Sequence, residues 1–162
     1  MAVSTQKYSL IQRVLHWLTL ALLLVSFVSH DWMKDAWRAV TRDAVADFTP
    51  DTGTQVHVIT GGLILVLTLL RLWLRVKQGA PAPVSGQHPL ITIASASVHG
   101  LLYLLLLALP LTGMAAWFGM FTDLGDVHEV LFNVAWVLVT AHVAAALFHQ
   151  FVLKDNLLAR MR

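Results

Sequence analysis

The sequence predicts an all-α protein, a transmembrane four-helix bundle, on three observations. Hydrophobic residues make up 57% of the 162 positions and charged residues 12%, against roughly 45–50% and about 25% in soluble domains. Four stretches are apolar over the roughly 20 residues that a spanning helix needs. Eight histidines sit in this otherwise apolar chain, several of them inside those stretches.

The first span covers about 11–31. Val14 to His30 holds no Asp, Glu, Lys or Arg. Its basic start and apolar middle are those of a signal peptide, but no small-x-small cleavage site follows and His16 and Trp17 interrupt the apolar run, so the reading is a retained helix. From about Asp31 to Asp51 the chain forms an outer loop. Trp32, Trp37 and Phe48 amid its charges predict a short interfacial helix. The second span covers about 53–75, its apolar character continuing past Arg71. Gln78 to Thr92 carries Pro81, Pro83, Pro89, Gly79 and Gly86 and reads as a loop. The third span covers about 93–118 and the fourth about 128–153, giving one domain over 1–162.

The charges orient the bundle. Lys7, Arg13, Arg71, Arg75, Lys77, Lys154, Arg160 and Arg162, eight of the eleven basic residues, fall on one side. The other side holds Lys34, Arg38 and Arg42 with Asp31, Asp35, Asp43, Asp47, Asp51, Asp123, Asp126 and Glu129. The positive-inside rule puts both termini in the cytoplasm. Absence of cysteine excludes disulfides, thiolate metal sites and c-type haem attachment. A formal charge of +2 gives no electrostatic basis for nucleic-acid binding. The surroundings are membrane lipid.

Polar ionisable groups inside a span are functional hypotheses by default. His30 and His88 fall at span ends or in loops and are expected to be solvated. His128 and His142 lie fourteen residues apart on the fourth helix, which at 100° per residue leaves them roughly 40° apart on one face and about 21 Å apart along the axis. One helix thus offers an imidazole near each membrane surface. His16, early in an outward-running helix, matches His142 in depth. His57, early in an inward-running helix, matches His128. Facing imidazoles across a bundle core are an axial pair for b-type haem, so the expectation is two haem b groups, His16 and His142 inside, His57 and His128 outside. Gly61, one turn from His57, lets a flat macrocycle approach the backbone, and the neighbouring Gly62 supports the same site. Any one of these histidines can instead hydrogen-bond to a neighbouring helix. Zinc prefers three or four clustered ligands, which pairs at two depths do not supply.

The segments Arg13-Val14-Leu15-His16-Trp17, His57-Val58-Ile59-Thr60-Gly61, His99-Gly100-Leu101-Leu102-Tyr103 leading to Pro110 and Gly113, and His142 to His149 followed by Lys154-Asp155-Asn156 and Arg160-Met161 resemble the bacterial cytochrome b561 family over nearly the whole chain. The resemblance implies a four-helix, quinone-linked dihaem cytochrome of the bacterial inner membrane, with axial roles for His16, His57, His128 and His142. One departure is Gln150, where the family often carries a second histidine after His149.

Around these haems the remaining candidates have two readings each. His149, with Lys154 just outside the span, either hydrogen-bonds a quinone carbonyl and delivers its proton or binds a propionate or a loop carbonyl. Arg71 and Arg75 hold propionates or act as membrane anchors. His99 touches the inner haem or quinone, or is a satisfied core histidine. Lys34, Arg38 and Arg42 recur every four residues; on a helix they form a basic stripe that steers an anion such as superoxide, or a solvated face paired with Asp31 and Asp35. Some relatives in this family act as superoxide oxidases that reduce ubiquinone. The function expected is therefore superoxide:ubiquinone oxidoreduction; the alternatives are an electron-transfer subunit docked to a dehydrogenase or hydrogenase partner and, more remotely, a histidine-rich metal-handling protein.

Overall fold

The computed structural model describes residues 6–42, 48–83 and 88–162. Its five helices are α1 (Leu10–Val28), α2 (His30–Thr41), α3 (Thr52–Gln78), α4 (Pro89–Gly119) and α5 (Thr122–Phe148). α1, α3, α4 and α5 are the long apolar elements. At 1.5 Å per residue the 27 residues of α3 reach about 40 Å, more than the ~30 Å hydrocarbon core. No strand occurs among the described residues.

α1, α3 and α4 start where a side chain satisfies a free N–H group of the first turn. Ser9 caps α1, its Oγ accepting from Gln12 N while Gln12 Oε1 accepts from Ser9 N at 3.2 Å. Asp51 caps α3 by accepting from Thr54 N at 2.7 Å, and those backbone donors hold its carboxyl below the ordinary value. α4 starts earlier than the loop expected over Gln78 to Thr92 allows. Pro89 occupies its first turn behind the His88 cap, a position where a missing N–H costs nothing. Gly86 from that expected loop lies outside the described residues, as do Asp43 and Asp47 of the outer loop. α5 likewise begins at Thr122, ahead of His128. The interfacial segment forms α2, which follows α1 after Ser29 alone; it holds Trp32 and Trp37, while Phe48 lies beyond it and meets Trp117 edge-on.

α1 packs on α3, α3 on α4, α4 on α5, and α2 lies against α3. Small hydroxyl residues let α1 and α3 approach. Thr19, Thr60 and Thr68 are buried and donate to carbonyls of their own helices, and Ser26 meets Thr60 across the contact at 2.8 Å. Leu105, Leu109 and Ala135 form the α4/α5 core. Between α1 and α5, Phe27 meets Phe132 and Trp136 with ring centroids 6.1 and 4.6 Å apart.

After α5 the chain widens into one π-helical turn, His149–Leu153, and then a 3-10 turn, Leu157–Met161. This tail folds back under α1. Trp17 Nε1 donates to Met161 O at 2.9 Å and buried Arg160 donates to Ala82 O at 2.6 Å. Arg13 donates to the Arg162 carbonyl.

Candidate functional site

α5 carries partly buried imidazoles near both of its ends, and each faces another across the bundle. The His57 and His128 ring centroids are 6.4 Å apart at 78°; those of His16 and His142 are 6.3 Å apart at 63°. The two pairs are those the depth argument matches. With a metal–imidazole bond of about 2 Å and about 1 Å more to each ring centre, imidazoles on opposite sides of one ion have centroids about 6 Å apart. Both pairs meet that spacing. Among the described residues, no cluster of three or more His, Cys, Asp or Glu is arranged to hold a metal ion.

At the outer pair the hydrogen bonds also select the ligating nitrogen. His57 Nδ1 donates to Ser26 O at 3.1 Å, with Ser29 Oγ at 3.2 Å. His128 Nδ1 donates to Leu109 O at 2.8 Å, with Thr112 Oγ1 at 3.4 Å. A carbonyl can only accept, so the hydrogen of each neutral ring sits on Nδ1 and Nε2 keeps its lone pair, the arrangement of a metal-binding histidine. A cleft with about 750 Å³ of empty space, counting its open mouth, adjoins the pair; His30, Lys34, Gly61, Gly113 and Glu129 are among its lining residues. Its two glycines differ. A Cβ at Gly61 would meet nothing within 4 Å, whereas one at Gly113 would stand 2.9 Å from His128 Cε1 and 3.0 Å from its Nδ1. Gly61 leaves the cleft open, and Gly113 makes room for the His128 ring. The donor set, its tautomers and the empty wall fit a haem held by two imidazoles.

The inner site is more crowded. His99 lies 5.1 Å from His142, edge to face, and its Nδ1 donates to Ser95 O at 2.6 Å. Arg71 Nη2 donates to His16 Nδ1 at 3.1 Å, so the hydrogen of neutral His16 sits on Nε2. Ligation through Nε2 requires that this contact be released. The guanidiniums of Arg71 and Arg75 lie 5.4 and 6.0 Å from the Tyr103 ring centre, in cation–π range. Spacing fits an axial pair here; the tautomer does so once Arg71 moves.

The other sequence candidates divide. Lys34 lines the outer cleft and pairs with Glu129 at 3.4 Å. Arg38 pairs with Asp35 at 3.9 Å and Arg42 is the α2 C-cap; neither lines the cleft, so the stripe narrows to one lysine. Lys154 is exposed, with φ 54°. His149 donates from Nδ1 to Asp155 Oδ2 at 2.5 Å. The expectation that His30 is solvated is corrected. Its ring stacks on Phe132 at 4.3 Å and 5° and lies 6.2 Å from His57. Because α2 continues from α1 almost directly, His30 turns into the cleft rather than into a loop, and burial with the nearby Lys34 charge pushes it below its ordinary value. His88 is exposed as the α4 cap.

The family model for prokaryotic cytochrome b561 matches residues 7–162. The chain is 38% identical to cytochrome b562 of Cereibacter sphaeroides, covering 95% of this chain and 94% of that one. It is 30% identical to a probable superoxide oxidase, CybB, of Yersinia pestis, covering 96% of each. It is 28% identical to cytochrome b561 homolog 1 of Escherichia coli, again covering 96% of each.

Proposed function

This chain belongs to the prokaryotic cytochrome b561 family of membrane electron-transfer proteins, and from that footing we propose that it is a dihaem superoxide:ubiquinone oxidoreductase. The observation that carries the reading is the presence of two facing imidazole pairs, one towards each end of α5, at spacings of 6.4 and 6.3 Å. Haem b held by an imidazole on each face supplies single-electron transfer and leaves no open iron position for oxygen. His57 and His128 hold the outer group, with Gly61 as the open wall. His16 and His142 hold the inner one, and Arg71, released from His16, is the cation for its acidic side groups, with Arg75 beside it.

The reaction balances as two superoxide anions losing one electron each to leave as dioxygen, while ubiquinone takes two electrons and two protons to leave as ubiquinol. Lys34 at the outer cleft draws the anion. His149, with His99 and Lys154 at the same end of the bundle, receives the quinone. Eight basic residues on the terminal side support both termini in the cytoplasm, with the chain in the bacterial inner membrane and superoxide oxidised outside. The relative named as a probable superoxide oxidase supports the donor.

The test is a visible difference spectrum of the purified protein with superoxide as the only reductant, beside a chemically reduced control. Rapid reduction by superoxide and reoxidation by added ubiquinone is the expected result. A b-type spectrum with the chemical reductant alone would favour an electron-transfer subunit fed by a dehydrogenase or hydrogenase partner. No haem spectrum under either condition would remove the reading altogether.

A further inference from the structure

The end of α5 holds a histidine–carboxylate pair that ligation does not use. His149 and Asp155 are nearly buried, their side chains 13% and 15% exposed. Both oxygens of Asp155 are engaged. Oδ2 accepts from His149 Nδ1 at 2.5 Å and Oδ1 accepts from Leu157 N at 3.1 Å. The backbone is bent to make this possible. Lys154 and Asn156, the two neighbours of Asp155, have φ of 54° and 58°, left-handed conformations that L residues adopt at a cost. The π-helical turn beginning at His149 lets Asp155 N reach back to His149 O at 3.3 Å. In the same turn Gln150 Oε1 is buried with no donor among the described residues, and His149 Nε2 makes no hydrogen bond there.

We propose that Asp155 is the positioning residue for proton delivery through His149 to the quinone; this rests on the quinone site proposed above. A carboxylate cannot donate, so it fixes Nδ1 as the nitrogen that keeps its hydrogen and leaves Nε2 to gain and lose one. The carboxylate faces the positive charge the ring carries while Nε2 is protonated. In the step, the Nε2–H bond breaks as an O–H bond forms on a carbonyl oxygen of the quinone, which superoxide electrons reduce. The neutral ring then takes a proton from water, and the second proton follows by the same cycle. Gln150 Oε1 is the unmatched acceptor in this turn for the hydroxyl of the quinol.

Asp155→Asn separates this from a merely structural role, because an amide cannot accept at both positions. It either gives up the Leu157 N–H bond or turns its N–H toward His149 Nδ1, which can then only accept and leaves the ring hydrogen on Nε2. In the haem-loaded protein, ¹⁵N spectra of histidine, assigned by His149→Gln, should show His149 with hydrogen on Nδ1 in the parent. In Asp155→Asn, decylubiquinone should bind within about twofold of the parent. Its reduction by superoxide should slow by about 10- to 100-fold, within the range that general acid catalysis spans, with a larger solvent isotope effect and an unchanged haem spectrum. Asp155→Glu should restore part of the rate. Parent spectra with hydrogen on Nε2 alone, or parent-like reduction by Asp155→Asn, would overturn the proposal. Parent-like quinone binding and reduction by His149→Gln would instead remove the quinone site itself. If the amide variant fails to fold, hydrogen on Nε2 alone in the parent still overturns the proposal, and the rate and solvent isotope effect of Asp155→Glu take the place of the amide's.

Discussion

Gly113→Ala adds one methyl group where the outer pair has no room for it. The new Cβ would stand 2.9 Å from His128 Cε1, 3.0 Å from Nδ1 and 3.6 Å from Nε2, whereas ordinary contact begins near 3.4 Å. Alanine is the better helix former by about 1 kcal/mol, so α4 itself gains. The cost falls on the His128 ring, which must move by about half an ångström and strain its 2.8 Å bond to Leu109 O. Overpacking of this kind costs about 1–3 kcal/mol, and loss of the hydrogen bond about 1 kcal/mol. The sum, about 2–4 kcal/mol, is roughly a 30- to 1000-fold weaker hold on the outer haem. Haem per chain, measured as the pyridine haemochrome after purification, should fall from two towards one while the protein stays folded in detergent. Two haems per chain with parent spectra would refute the reasoning, since His128 would then tolerate displacement without consequence for ligation.

Three further outcomes follow from the same geometry. Replacing His57 or His128 with alanine should remove one haem and leave the other, and replacing His16 or His142 should do the converse; full retention of both haems in any of the four would sink that pairing. A Cβ at Gly61 meets nothing within 4 Å, so in Gly61→Leu the helical content by circular dichroism should be unchanged while the longer side chain extends into the cleft and haem content drops by one. Lys34→Gln should slow reduction by superoxide, and Glu129→Gln, which frees Lys34 from its 3.4 Å partner, should speed it, each by roughly two- to tenfold at low salt with the difference vanishing at high salt; rates indifferent to both changes and to salt would exclude steering by this lysine.

How far the sequence reaches depends on which physical property a feature depends on. The four long helices are legible because burial in lipid imposes one composition over about 20 residues, and α2 because its tryptophans alternate with charge. The proximity of His16 to His142 and of His57 to His128 follows from helix direction and a rise of about 1.5 Å per residue, with no knowledge of side-chain packing. What depends on helix rotation or on turn geometry is not legible. His30 reaches the cleft only because α2 follows α1 after a single residue. Gly113 matters through a ring on another helix, and nothing local in α4 marks it apart from its place in the family pattern. Arg71 reads equally as an anchor until its guanidinium is found on His16. Asp155 is six positions after His149, a separation that brings side chains together only through a π-turn and two left-handed residues. Pro89 signals a loop by composition yet begins a helix, because proline suits both.

The central claim is that α5 supplies one ligand to each of two bis-imidazole haems. Electron paramagnetic resonance of the oxidised protein, with haem and chain counted on the same sample, tests it most directly. Two haems per chain, both low-spin and with distinct signals, is the predicted result. One haem per chain, or a high-spin fraction that marks an open iron position, would contradict it.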